Sequence, residues 1–413
     1  MNNVYDVLEA RGFIDQATYP EELRELLGTE SVPFYIGFDA TADSLTLGHF
    51  LQIRVMQHMQ QHGHQPIALL GGGTTMIGDP SGRSDMRQLL TRDVVDHNAD
   101  CFKRQLATLL DFDGDHSAKA AIFENNADWL LDLNFLNFMR EVGVHFSVNR
   151  MLTFDAYKNR MERGLSFFEF GYMLMQSYDF LHLYRIHNCK LQLGGSDQWS
   201  NMIGGYELVR KLEQDKVYSM TFKLLTTANG VKMGKTMSGA IWLDKDKTSP
   251  YEMYQYLRNC DDRDVIKFLK LLTMLPLEEI TSYESYEGAK LNELKDLLAY
   301  EVVKDIHGSD EADGARAAAK ALFAGGADLS NVPFSEYQRT DFEAGIGLLN
   351  LLHDTGLAAS NSEARRLVTQ NGIAINDAKV TDPQAVITVE NFLNDNTLMI
   401  KKGKKIYHQI RLI

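Results

Sequence analysis

Pro33-Phe34-Tyr35-Ile36-Gly37-Phe38-Asp39 is followed, after a short loop, by Thr46-Leu47-Gly48-His49 and apolar residues at helical spacing to Gln61. The first stretch reads as a buried strand. The second opens a helix that Gly63 ends as a C-terminal cap. Pro66 to Leu70 is another short apolar strand, running into a glycine-rich loop. Two strands flanking a helix of that length suggest a βαβ unit in a parallel sheet. Outward from this unit the alternation continues. Helical spacing covers Arg92 to Asp111, a strand lies near Ala120 to Phe123, and one long amphipathic helix covers Ser166 to Tyr184. Lys190 to Leu193 is a further strand, followed by Gly194-Gly195-Ser196-Asp197 and a helix. The expected fold class is α/β, a doubly wound, Rossmann-like parallel sheet. Ligands bind such sheets beyond the C-terminal ends of the strands.

The rest of the chain divides by composition. Residues 1–228 form the α/β domain, and 229–323 carry a lysine-bearing loop and a helical domain in which Ser249-Pro250-Tyr251-Glu252 is a capping box. Residues 324–345, with Gly325, Gly326 and Pro333 and no strong periodicity, read as an irregular linker. Residues 346–413 form a small α+β domain. In it Ser360-Asn361-Ser362-Glu363 opens a helix, and Asn371-Gly372 turns into an alternating strand.

The formal charge is −14, which argues against nonspecific nucleic-acid binding by the whole surface. Leu348 to Ile413 is different, with eight basic residues against six acidic ones. That end can meet a polyanion. Three scattered cysteines suggest neither a disulfide framework nor a metal site. His58, His62 and His64 lie close in sequence, but His64 falls beyond the helix end, so a metal is not expected there. The first fifteen residues lack the basic start and apolar stretch of a signal peptide, and no apolar run is long enough to span a membrane. Cytoplasmic location is the expectation.

The loop from Ala40 to His49 runs from a strand end into a helix start, where backbone amides favour phosphate. Gly48 lets a nucleotide approach the backbone closely, His49 can donate to ribose or phosphate oxygen, and Thr41 and Thr46 offer hydroxyls. Alone this tetrapeptide is a weak signal. Far downstream, Ala228-Asn229-Gly230-Val231-Lys232-Met233-Gly234-Lys235-Thr236 is a glycine-bearing, dibasic loop. Two lysines on such a loop can close on a leaving pyrophosphate. Together the segments resemble the paired signatures of class I aminoacyl-tRNA synthetases. The glycine-rich run Gly71 to Arg83 lacks the Gly-Lys-Ser/Thr ending of a P-loop.

With Tyr35 to Asp39, Thr41 to Leu45, Ile77 to Gly82, Tyr172 through Gln176 to Asp179, Gly194 to Trp199 and Lys232 to Thr236 in one order and spacing, nearly the whole chain resembles the bacterial tyrosyl-tRNA synthetases. The resemblance implies an ATP-dependent, AMP-forming ligase that makes tyrosyl-adenylate and then charges tRNA(Tyr). It implies that Tyr35 and Asp179 bind the substrate phenol, so that phenylalanine would leave a buried pair unsatisfied. Tyrosine-activating enzymes are themselves the reference case for that discrimination, and its size is not a result of the sequence. Tyr172, Gln176 and Asp79 would hold the α-ammonium, and Gln198 would meet the carboxylate side. Tyr172, Gln176 and Asp179 fall at helical spacing on one face. Gly37, Asp39, Thr46, Gly48, His49, Gly195, Asp197 and Lys235 would bind ATP. Thr41, His49, Lys232 and Lys235 would stabilise the transferring phosphate. The tyrosine carboxylate is already ionised at neutral pH, so its attack needs no general base.

Three positions depart from the family pattern. Thr46 stands where histidine is common, Ile36 where some members have cysteine, and the loop after Gly82 keeps only Arg83 and Arg87 of a more basic set. The C-terminal region resembles RNA-binding domains of the ribosomal-protein S-four type, with Arg365, Arg366, Lys401, Lys402, Lys404 and Lys405 as phosphate contacts. Magnesium is implied with ATP, without a dedicated protein cage and with no organic cofactor. A homodimer is implied, and no membrane partner. The competing readings are a tryptophanyl-type synthetase, a small-molecule adenylyltransferase and a non-catalytic RNA-binding paralogue.

Overall fold

The computed structural model describes residues 3–81, 90–117, 119–154, 157–158, 161, 164–236, 239–324, 334–376, 378–393, 396–403 and 406–413. The chain forms two compact units, residues 1–233 with 266–284, and residues 234–265 with 285–413. The first unit therefore takes in a segment that the composition-based division placed in the helical domain.

The first unit is built on a six-stranded sheet: β1 (Ile14–Ala17), β2 (Pro33–Phe38), β3 (Gln65–Leu70), β4 (Ile122–Asn125), β5 (Leu191–Gly195) and β6 (Tyr218–Phe222). Their order is β1-β6-β5-β2-β3-β4. Five strands are parallel, as expected, and β1 adds an antiparallel edge beside β6. The chain winds from β2 outward through β3 to β4, then returns to place β5 on the other side of β2. The direction of winding reverses between β2 and β5, and a crevice opens at such a switch point. Near-continuous apolar burial along β2, β3 and β5 is what a sheet covered on both faces requires.

The helix Leu47–Gln61 joins β2 to β3. The expected single helix from Ser166 is instead two. Phe167–Phe170, capped by Ser166 and Glu169, ends at Gly171, and Tyr172–His187 follows. Glycine is a weak helix former, which makes Gly171 the natural place for the break.

In the second unit, helices Pro250–Arg258, Ala289–His307 and Ser309–Ala324 pack against one another. Tyr254 and Arg316 both donate to the buried carboxylate of Asp296. The C-terminal part is a five-stranded sheet with its own core, including Leu348, Leu352, Val368, Leu398, Ile400 and Ile410. The supposed linker is not all irregular. Phe334–Tyr337 is a strand that pairs in parallel with Gln409 to Leu412 of the last strand, and Phe342 enters the core. A strand of four residues whose partner lies more than seventy positions away leaves little periodicity to read.

Among the described residues, no helix is long and apolar enough to cross a membrane.

Candidate active site

The site lies where β2 and β5 end. Past β2, Asp39 accepts from the Tyr172 hydroxyl at 3.0 Å and from Thr74 Oγ1 at 2.9 Å. Gly71 makes this arrangement possible, because a Cβ there would come within 2.4 Å of Asp39 Oδ1. Tyr172, expected on an α-ammonium, is thus oriented here by Asp39.

Thr46 caps the helix that begins at Leu47. Its backbone N–H donates to His49 Nδ1 at 3.0 Å, and its hydroxyl lies 3.1 Å from the same nitrogen. An Nδ1 that accepts from an amide carries no proton. That arrangement leaves Nε2 as the ring's N–H, a group of the kind that donates to ribose or phosphate oxygen. Thr41 is exposed, and Thr46 and His49 are half-buried.

Gly37 and Gly48 have no positive φ. A Cβ on Gly37 would meet nothing within 4 Å, and one on Gly48 would make only an ordinary 3.6 Å contact with Thr46 Oγ1. The described chain itself demands glycine at neither place, whereas a closely approaching ligand would. Gly195 differs, since its Cβ would lie 2.7 Å from Asp197 Oδ1, so the chain's own packing accounts for that glycine. Gly48→Ala is accordingly expected to hold or raise Tm, as alanine favours the helix. It should raise the ATP KM about tenfold through overpacking against the nucleotide. Thermal melts and ATP titrations of pyrophosphate exchange measure the two effects.

The deepest part of the site is a buried polar group set among apolar side chains. Tyr35 is 1% exposed and Asp179 2%. Asp179 Oδ2 accepts from Asn126 Nδ2 at 2.9 Å, and Oδ1 accepts from Trp129 Nε1 at 2.8 Å. Burial pushes the Asp179 carboxyl up to about 7, against the pull of those two donors and with Asp39 adding to the rise. The Tyr35 hydroxyl is held well above its ordinary pKa, first by burial and then by the Asp179 charge. Among the described residues, Tyr35 Oη and Gln176 Oε1 are buried without a hydrogen-bond partner. An orphaned buried polar atom is costly, so each of these two is a place where a polar ligand group would be welcome.

Nearer the mouth, Asp79 Oδ2 accepts from Gln198 Nε2 at 2.6 Å, and Oδ1 from the Ser81 amide at 2.9 Å. Asn201 reaches the same carboxylate at 3.4 Å. Lys232 lies on a hairpin closed by bonds from Thr227 N–H to Val231 O and from Met233 N–H to Leu225 O. It is exposed, and close enough to Asp197 for its charge to lower that carboxyl, which burial and Asp79 raise. Lys235 belongs to the second unit, where its backbone pairs with Ala240. Arg83 and Arg87 lie outside the described residues.

At the C-terminal end, Arg365 and Arg366 are exposed on the helix Asn361–Thr369. Lys402 is instead committed within its domain, donating to the Leu357 carbonyl at 2.6 Å and meeting Glu363 at 3.4 Å. Lys401 stacks its ammonium over the Tyr407 ring at 4.9 Å. Lys404 and Lys405 lie outside the described residues.

Sequence reading missed Asn126, Trp129, Thr74 and Asn201. Asn126 carried a usable signal, as the first residue beyond the C-terminal end of a parallel strand.

A capped helix start, a buried carboxylate and a lysine hairpin around one switch point are the arrangement expected of a class I aminoacyl-tRNA synthetase. The family model "tRNA synthetases class I (W and Y)" matches residues 28–324, and "Tyrosine--tRNA ligase SYY-like C-terminal domain" matches residues 327–410. The chain is 57% identical to a tyrosine--tRNA ligase of Lachnoclostridium phytofermentans, over 99% of each chain. It is 54% identical to one of Acetivibrio thermocellus, over the full length of both. A C-terminally truncated mitochondrial tyrosyl-tRNA synthetase of Aspergillus nidulans superposes with a TM-score of 0.70 at 33% identity, covering 78% of this chain and 95% of that one. The chain belongs to the tyrosine–tRNA ligase family, whose members activate tyrosine with ATP and transfer it to tRNA.

Proposed function

We propose that Tyr35 and Asp179 bind the phenol of L-tyrosine, with Asp79, Tyr172 and Gln176 around its ammonium and Gln198 on the carboxylate side. The observation that carries this is that Tyr35 Oη and Gln176 Oε1 are buried and unpartnered among the described residues, while the buried Asp179 carboxylate accepts from only two donors there. Phenol O–H donates to Asp179 and accepts from Tyr35, and the ammonium donates to Gln176 Oε1, which satisfies both unpartnered atoms.

ATP lies along the Gly37, Asp39 and Gly48 edge, with Asp197 towards its ribose. The tyrosine carboxylate oxygen attacks the α-phosphorus. A new P–O bond forms, the bond to the β-phosphate oxygen breaks, and pyrophosphate leaves with its electron pair. His49 Nε2–H, Thr41 and Lys232 stabilise the charge that shifts onto phosphate oxygens. Magnesium travels with the ATP phosphates. The terminal adenosine hydroxyl of tRNA(Tyr) then displaces AMP from the adenylate.

Residues 1–228 serve activation, 229–323 carry the lysine loop and helical domain, and 346–413 bind tRNA through Arg365 and Arg366 in the cytoplasm. A homodimer accounts for the apolar side chains left exposed between residues 135 and 168, among them Phe135, Leu136, Val144 and Phe167, each at least 65% exposed. The test is amino-acid-dependent ATP–pyrophosphate exchange with all twenty amino acids, followed by charging of tRNA(Tyr). Exchange is expected with tyrosine alone, and exchange with none would remove the enzymatic reading. Arg365→Ala with Arg366→Ala should weaken charging and flatten its salt dependence while exchange is unaltered. Normal charging by that pair would place tRNA elsewhere.

A further inference from the structure

Within the Lys232 hairpin, Thr226 and Lys232 face each other across an antiparallel bridge. The backbone bonds that close it belong to the neighbouring residues, from Thr227 to Val231 and from Met233 to Leu225. In such a pair the facing residues turn their own N–H and C=O groups outward. The Thr226 carbonyl therefore points away from the hairpin and requires a partner from elsewhere. Lys267 supplies it, with Nζ 2.5 Å from that oxygen.

Lys267 lies in the first turn of helix Val265–Leu272. The other end of this helix is held by two buried guanidinium groups. Arg11 donates to the carbonyls of Lys270 at 2.9 Å, Thr273 at 3.1 Å and Leu275 at 2.5 Å. Arg54 donates to the Leu272 carbonyl at 2.8 Å. A helix C-terminus exposes unpaired carbonyls and partial negative charge, and cations satisfy both. The Arg11 guanidinium is lowered only to about 10, by burial and by Arg54, so it stays charged at neutral pH. His58, beside the two arginines, is pushed down to about 3 by burial and their charge, and adds no third cation.

Arg54 is on the helix that opens with Thr46 and His49. One short helix therefore ties the base of the Lys232 hairpin, through hydrogen bonds, to the helix bearing His49. We propose that Lys267 is a positioning residue for adenylate formation, anchoring the Lys232 hairpin to a strut held by the His49 helix. This rests on Lys232 acting on the ATP phosphates. A hairpin released at its base misplaces the ammonium without removing it, and displacements near 1 Å can cost up to about a hundredfold in rate.

The test uses the full-length protein and tyrosine-dependent pyrophosphate exchange, with Lys267→Met, Lys267→Arg and Lys232→Ala compared. Methionine keeps an alkyl chain near the Phe268 ring, which the ammonium approaches to 5.6 Å, and removes the donor. Lys267→Met is expected to lower kcat about tenfold with unchanged tyrosine KM and Tm, and Lys267→Arg to recover most of the rate. Wild-type kcat in Lys267→Met beside a slow Lys232→Ala overturns the positioning role and leaves that of Lys232 intact. Wild-type kcat in Lys232→Ala removes the underlying reading and this proposal with it. A matched loss of Tm and tyrosine affinity in Lys267→Met makes the residue a structural support and overturns the proposal too.

Discussion

Asp179→Asn is expected to lower kcat/KM for tyrosine by about a hundredfold, the range of a lost hydrogen bond to a charged acceptor. Asn126 and Trp129 each donate to one carboxylate oxygen. An asparagine side chain offers only one acceptor oxygen, so its amide nitrogen must face one of these donors or the phenol. The ATP KM should hold, because the change is confined to the amino-acid end. Discrimination against phenylalanine should weaken, since the pocket would no longer penalise a missing hydroxyl as strongly. Steady-state exchange with both amino acids reads all three effects. Unchanged discrimination would move the phenol site away from Asp179.

The same carboxyl gives the pH dependence its sign. Burial raises Asp179 to about 7. Below that pH the protonated acid is a poorer acceptor for the phenol O–H, so kcat/KM for tyrosine falls as pH drops through 7. The acid limb should vanish in the Asp179→Asn variant, which has nothing to titrate there.

Lys232→Ala is expected to slow pyrophosphate exchange by about a hundred- to a thousandfold, comparable to removal of one oxyanion-stabilising donor. Tyrosine KM should change little, because the proposed tyrosine pocket is built from Tyr35 of β2 and Asp179 of the helix Tyr172–His187, both more buried than Lys232. The loss has a second component. Lys232 is the cation that opposes the rise of the half-buried Asp197 carboxyl, which burial and the Asp79 charge push up. Without it, a nucleotide must meet these carboxylates with less positive charge at hand. Lys232→Arg should recover part of the rate, and single-turnover adenylate formation separates this chemistry from product release.

Much of the first unit was legible because its strands are apolar runs ended by glycine or polar residues. Pro33 to Asp39 and Gln65 to Leu70 are such runs, and the intervening helix has a clear stripe. The break at Gly171 was missed because both sides keep helical spacing. Phe334–Tyr337 was missed because its partner strand is remote. In the site, Tyr35, Asp79, Gln176 and Asp179 were nameable from family pattern and residue type. Asn126 and Trp129 were not, since their importance lies in two bonds to Asp179 from a different element. Lys402 illustrates the opposite error. A run of lysines reads as a phosphate surface, yet Lys402 is occupied by Leu357 and Glu363. Sequence shows that a charge is present but not which way its side chain is engaged.

The segment 266–284 has a consequence for how this chain is made. Arg11 and Arg54 are synthesised early, but the carbonyls they hold arrive only with Lys270 to Leu275. Until the ribosome has released that stretch, two guanidinium groups destined for the interior have only water to satisfy them. The N-terminal unit therefore completes its folding after part of the second unit has already emerged, against the usual domain-by-domain order. A catalytic fragment ending near residue 228 would be born with the same deficit, permanently.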